Sequence, residues 1–240
     1  MKTKSAWGNS PKRIYNIIRK LEGQKLDNIN VCIVGCSDGK FVLPFARQNI
    51  KVVGYDIDKV ALYGGMKFFP IHREDIERKK YVSSNDKPIF PEIPCEQREI
   101  MGLKKRLEVE KLNSFVTIRE QDFYRSETTE KFDLVFTSCS IQYKCNRDIG
   151  IHAMLNKLKK SVKIGGYLYM DYMMPLEDSH TWKSELFLRT GQIYELFDES
   201  WKIEYVRESK IPILELAHVD RPSDHFHRFG YVLARRLKND

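Results

Sequence analysis

The stretch from Asn30 to Asp58 restricts what this chain can fold into more than any other. It opens with the apolar run Val31-Cys32-Ile33-Val34 and meets glycine at Gly35 and Gly39. It continues through Phe41 to Gln48 and closes with Val52-Val53-Gly54-Tyr55-Asp56. A short apolar run bounded by glycine suits a strand covered on both faces. Glycine at both ends of the turn lets the backbone bend tightly and approach a ligand with no Cβ in the way. The spacing predicts a strand over 31–34, a turn over 35–39, a helix over 41–48 and a second strand over 52–55, which together make a β-α-β unit. Asp56 falls at the carboxyl end of that second strand, the edge at which open α/β sheets take their ligands. A carboxylate there can accept two hydrogen bonds from a ribose diol.

The two glycines fall short of the full dinucleotide pattern, and no Gly-Lys-Ser/Thr follows to make a phosphate loop. A nucleoside without a pyrophosphate is the ligand this favours. Val34-Gly35-Cys36-Ser37-Asp38-Gly39, followed by Val52-Val53-Gly54-Tyr55-Asp56-Ile57-Asp58, resembles the first two motifs of class I S-adenosylmethionine-dependent methyltransferases. Ile33 stands where the family usually has an acid, and Ser37 where it often has glycine. The resemblance implies S-adenosyl-L-methionine as cofactor, held by Gly35, Cys36, Ser37, Gly39, Asp56 and Ile57.

Later segments extend the resemblance in the same order. Phe115 to Ile118 alternates like a strand and runs into Gln121-Asp122-Phe123, similar to the third family motif. This implies that Asp122 accepts from the adenine amino group and that Phe123 covers the ring. Phe132 to Ser140 reads as a fourth strand, with Ser138 to Tyr143 at the same carboxyl edge and Ser138 beside the sulfonium. Asn146 to Lys160 reads as a helix, and Lys163 to Asp171 as a turn and fifth strand, with Ile164 replacing the proline of the family turn. The implied fold class is α/β: a Rossmann-like, doubly wound, mostly parallel sheet with an antiparallel edge strand. The arrangement is similar to small-molecule methyltransferases of the tellurite-resistance and thiopurine type.

A chain of 240 residues suits one full-sized α/β domain better than two. Residues 1–240 are therefore expected to form a single domain, with an insertion at 60–101 that interrupts the pattern after Asp58. The insertion holds three prolines between Pro88 and Pro94, which exclude a regular helix there, and its aromatics argue for order. It reads as a long irregular cover on the substrate side. Residues 1–9 read as an unstructured lead-in, and Trp7 within it as an aromatic that either closes over the cofactor or packs on the domain. Ile14, Ile17, Ile18 and Leu21 then recur at helical spacing.

The five cysteines show no paired spacing, which points away from a disulfide framework and a zinc ribbon. No apolar run is long enough to span a bilayer and the N-terminal residues lack a signal-peptide core, so a cytoplasmic protein with no membrane partner is expected. The formal charge of +8 is spread along the chain. It is compatible with an anionic small-molecule substrate, and the expected acceptor is an oxygen or nitrogen of a metabolite, sugar-like or anionic, with nucleic acid allowed and not favoured.

Methyl transfer from a sulfonium is an in-line displacement, and a base is needed only when the acceptor must lose a proton. His218, His225 and His227, with Glu215 and Asp220, gather before the last strand. They are the expected catalytic residues, as a general base working near neutral pH. His225-Phe226-His227 also projects two imidazoles to one face of a strand, a pattern that with His218, Asp220 or Glu215 suits a metal. The reading adopted from sequence is the base, with no metal. Cys139 is read as a small buried residue. Two other functions remain open at this level: an RNA methyltransferase of cap or tRNA type, and a cofactor-binding protein without turnover.

Overall fold

Along β1 (Asn30–Val34), Val31 and Ile33 enter one hydrophobic core while Cys32 and Val34 enter another. The strand is covered on both faces, as its unbroken apolar run requires. The computed structural model describes residues 2–21, 23, 29–71, 93–176, 186–219 and 223–238. On the first face lie α1 (Lys12–Leu21), α2 (Leu43–Ala46) and α4 (Leu103–Glu110). On the second lie α5 (Gly150–Lys160) and the segment from Leu186 to Trp201.

The remaining strands of the main sheet are β2 (Lys51–Asp56), β5 (Val116–Glu120), β6 (Phe132–Thr137), β7 (Val162–Met174), β8 (Trp201–Glu208), β9 (Ile213–Glu215) and β10 (His225–Arg236). Among the described residues the sheet runs β5-β2-β1-β6-β7-β10-β8, with β9 pairing β10. From β5 to β7 every pairing is parallel. β10 runs antiparallel to both β7 and β8, so it lies one strand inside the edge that β8 forms. The chain leaves β1 toward β2 and β5 on one side, and returns through β6 and β7 on the other. That reversal puts a crevice beyond the carboxyl ends of β1 and β6.

Two sequence expectations are corrected here. The helix expected over 41–48 shrinks to the single turn of α2, because Pro44 stands in its first turn and Asn49 takes a left-handed φ of 60° just after it. Between α5 and β8 the chain makes a short 3-10 turn, Gln192–Leu196, entered through the left-handed Gly191. The lead-in is ordered where it is described: Thr3, Ser5 and Ala6 all bond to side chains of the body of the domain.

The insertion departs from the expectation of irregular chain. Its two ends, β3 (Gly65–Pro70) and β4 (Cys95–Ile100), form an antiparallel ribbon between α3 (Lys59–Tyr63) and α4. Gly64 and Gly102 let the ribbon leave and rejoin the helical layer at one point, since a Cβ on Gly102 would lie 2.1 Å from the Gly64 nitrogen. Residues 72–92, which include most of the proline-rich run, lie outside the described residues.

Candidate functional site

The turn after β1 is shaped by three left-handed residues, Gly35 (φ 74°), Ser37 (φ 48°) and Gly39 (φ 91°). Gly35 N and Cys36 N both donate to Tyr55 O, at 2.9 and 3.0 Å, which ties the turn to the end of β2. Asp56 completes the tie: Ser37 N donates to its Oδ2 at 2.6 Å and Asp58 N to its Oδ1 at 2.9 Å. Burial raises its pKa, against the pull of those two amides. Each carboxylate oxygen keeps a further acceptor site, so Asp56 can brace the turn and still receive a diol. Beside it Ile57 is 58 % exposed, an apolar surface at the mouth of the crevice. The Cys36 side chain is fully buried, so this residue offers a ligand only its backbone.

The third motif divides. Asp122 stays at the carboxyl edge, where its Oδ1 accepts from Tyr124 N at 2.9 Å and its Oδ2 pairs with Arg125 at 2.5 Å. That tight loop turns Phe123 inward. Phe123 is 2 % exposed and meets Tyr55 edge-on at 5.0 Å within the core. It supports the edge from beneath and presents no free face, which corrects its expected role as the ring cover.

Ser138 follows β6, as expected, and donates to Asp171 Oδ2 on β7. Cys139 N donates to the other oxygen at 2.7 Å, and Arg13 of α1 approaches Oδ2 at 3.4 Å. Burial pushes the Asp171 pKa up. Cys139 itself is exposed, not buried as expected, and takes a left-handed φ of 55°. A strained non-glycine residue at such an edge is common in ligand sites. Arg13 lies over the rings of Tyr169 and Tyr231. Asp171 and Arg13 carried no motif in the sequence, because their meeting depends on α1 packing over β7 and β10.

On the far side of the crevice β10 continues past Met174, the end of β7, by way of His227, Phe226 and His225. His225 stands directly opposite Glu215 in the β9–β10 ladder, and His227 opposite Ile213. Side chains two apart on a strand share a face. Accordingly, His225 Nε2 lies 3.5 Å and His227 Nε2 2.7 Å from Glu215 Oε2, while His218 Nε2 lies 3.8 Å from Oε1. The three histidines expected from sequence are thus gathered on one carboxylate. His225 and then His227 hold the Glu215 carboxyl well below the usual carboxylate range. The charge of Glu215 is felt by both Lys40, after the glycine turn, and Cys139, after β6. Asp220 lies outside the described residues.

No protein-family model and no curated protein matches the chain. Solved structures do. TehB from Haemophilus influenzae is similar over 93 % of this chain, with a TM-score of 0.57 and 12 % identity, and this chain spans 62 % of its length. Magnesium protoporphyrin IX methyltransferase (ChlM) from Synechocystis PCC 6803, solved with bound SAH, is similar at TM-score 0.55 and 15 % identity, over 94 % of this chain and 82 % of that one. The N-methyltransferase NodS from Bradyrhizobium japonicum WM9, in complex with S-adenosyl-L-homocysteine, follows at TM-score 0.52 and 12 % identity, over 95 % of this chain and 87 % of that one. Identities this low establish the fold: the chain folds as the class I methyltransferases do. No helix among the described residues is long and apolar enough to cross a membrane.

Proposed function

We propose that this protein transfers a methyl group from S-adenosyl-L-methionine to an anionic small-molecule acceptor. The observation that carries the reading is Asp56. It sits at the carboxyl end of β2, braces the glycine turn through Ser37 N, and has the exposed Ile57 beside it. The residues present fit the cofactor: Asp56 for the ribose diol, the backbone of Gly35 to Gly39 against the chain of the ligand, Ile57 against the base, and Asp122 for its amino group.

When bound, the cofactor supplies an electrophilic methyl on a sulfonium. The protein has to align the acceptor with that methyl and keep water away. Arg13 and Lys40 are two cations near enough for their charges to oppose one another, and they give the crevice a basic wall for an anionic group. Ser138 and Cys139, fixed by Asp171, border the space between the cofactor edge and the acceptor. The ribbon β3–β4 is the cover on this side, joined to the edge by the Lys67–Asp58 ion pair at 2.8 Å.

The histidine cluster manages the acceptor's proton. His218 Nδ1 lies 2.8 Å from Val219 O and His225 Nδ1 2.9 Å from Ser223 O. A carbonyl only accepts, so each Nδ1 carries a hydrogen and Nε2 is the ring atom left to take the acceptor's proton.

Calorimetric titration with S-adenosyl-L-methionine and S-adenosyl-L-homocysteine tests the reading. Binding by the wild type that Asp56→Ala loses is expected; absence of binding to either ligand would overturn it.

A further inference from the structure

The Glu215 cluster has a surplus of acceptors. With their Nδ1 hydrogens committed to Val219 O and Ser223 O, His218 and His225 have only Nε2 left to turn toward a carboxylate that is itself only an acceptor. His225 is 6 % exposed, and its Nε2 is buried without a hydrogen-bond partner. An unpartnered buried polar atom is costly. The His225 and His218 Nε2 atoms stand 3.5 and 3.8 Å from the Glu215 oxygens, longer than an ordinary N–H···O hydrogen bond, which leaves room for an ion among the three groups.

The geometry points to a divalent transition-metal ion held by Glu215, His218 and His225, and we propose that this is a metal site. The ligand atoms of these three residues all lie within 4.8 Å of one another. A tetrahedral ion with bonds of about 2.1 Å spaces its ligands roughly 3.4 Å apart. His225 Nε2 lies 3.5 Å from Glu215 Oε2 and His218 Nε2 3.8 Å from Oε1, each near that value, the two rings approaching different oxygens of the carboxylate.

Further features suit a metal. The two backbone carbonyls that accept from Nδ1 fix the tautomer and orientation of each ring, as partners of ligating histidines commonly do. His227, at 2.7 Å from Glu215 Oε2, donates to the carboxylate and orients it from the side. The loop that presents His218 is pinned to β10 by Ala217 N donating to Asp224 Oδ1 at 2.6 Å, with Asp224 buried. Imidazole with one carboxylate selects zinc-like ions over calcium or magnesium. Two histidines and one carboxylate leave coordination positions open, and the His218 and Glu215 side chains are 41 and 49 % exposed.

The existence of the site is independent of the methyltransferase reading; its role rests on that reading. An ion there would bind the acceptor oxygen or nitrogen and lower its pKa, so that with metal bound the cluster eases loss of the acceptor's proton as a Lewis acid, in place of direct proton pick-up by the Nε2 atoms of His218 and His225.

The test is titration of chelator-treated, full-length protein with Zn2+, together with the metal content of the protein as isolated. One equivalent should bind. His218→Ala and Glu215→Gln should each weaken it by ~100-fold or more, and His227→Ala by about 10–100-fold, the range for a residue that orients a ligand. His152→Ala, on the exposed face of α5, should leave it unchanged. Thermal melting and S-adenosyl-L-homocysteine titration of every variant separate loss of metal from loss of fold or of cofactor binding. Failure to bind Zn2+ stoichiometrically, or binding that survives both His218→Ala and Glu215→Gln, would overturn the site and leave a shared proton as the cation. Loss of S-adenosyl-L-homocysteine binding in the wild type would overturn only the methyltransferase reading.

Discussion

Asp38, in the glycine turn, and Arg106, on α4, form an ion pair across 3.2 Å with side chains only 1 and 3 % exposed. The pair joins three separate stretches of chain. Asp38 also accepts from Ser5 Oγ and Ala6 N, both at 2.7 Å, and Arg106 Nε donates to Thr3 Oγ1 at 2.9 Å. Asp38→Ala should therefore strand a buried guanidinium and cost about 3–5 kcal/mol, read by denaturant unfolding. Replacing both partners with apolar residues should recover much of that loss. A single variant within 1 kcal/mol of wild type, on the scale of an exposed ion pair, would mean that the turn is held by something else.

Gly35 is constrained twice. Its φ of 74° disfavours any Cβ, and a Cβ built there would lie 2.8 Å from that of Ser140. Gly35→Ala is expected to lose roughly 1–3 kcal/mol and to weaken cofactor binding by shifting the turn. Adding Ser140→Gly should restore the contact part of the loss but not the backbone part. Full rescue in melting experiments would show that the left-handed backbone carries little of the cost.

Asp171 holds Ser138 and Cys139 in place, and Cys139 adopts a left-handed backbone in doing so. Removing the carboxylate with Asp171→Ala leaves buried donors unmatched, at about 1–3 kcal/mol. Once an acceptor is in hand, kinetics should show kcat falling more than cofactor affinity. Unchanged kcat would exclude a positioning role for this aspartate.

Acid stability has a specific contributor in Glu110. Burial raises its pKa, but the hydrogen bonds from Arg47 and Thr3 outweigh that and hold it at about 2, against an ordinary 4.5. A carboxyl with a lowered folded pKa adds stability above the unfolded value and loses it as the pH falls through the folded one. The melting-temperature advantage of wild type over Glu110→Gln should be full near neutrality and shrink progressively below about pH 4.5 toward pH 2. An advantage independent of pH would assign it to packing.

What the sequence made legible was local. Gly35, Asp56 and Asp122 could be placed at one sheet edge because each directly follows an apolar strand, and strand ends are marked within a few residues. The histidines could be grouped because 218 to 227 is a short span. Phe123 was misplaced because an aspartate capping its own loop turns the next side chain inward, which periodicity does not reveal. Asp38 with Arg106, and Asp171 with Arg13, join residues 68 and 158 positions apart; such pairs leave no mark in a single sequence. The ribbon was hidden for another reason. β4 reads Cys-Glu-Gln-Arg-Glu-Ile and buries only Ile100, so it lacks the apolar alternation of a half-covered strand.

The placement of β10 between β7 and β8 bears on how the protein is made. β8 leaves the ribosome before β10, yet the two are joined in the sheet only through β10. A nascent chain that has released β8 must keep β7 and β8 apart as two unpaired edges, the kind of surface that invites wrong pairing. The parallel half with Asp56 and the glycine turn can assemble during that interval. The histidine wall cannot, because His225 and His227 arrive with the strand that closes the gap.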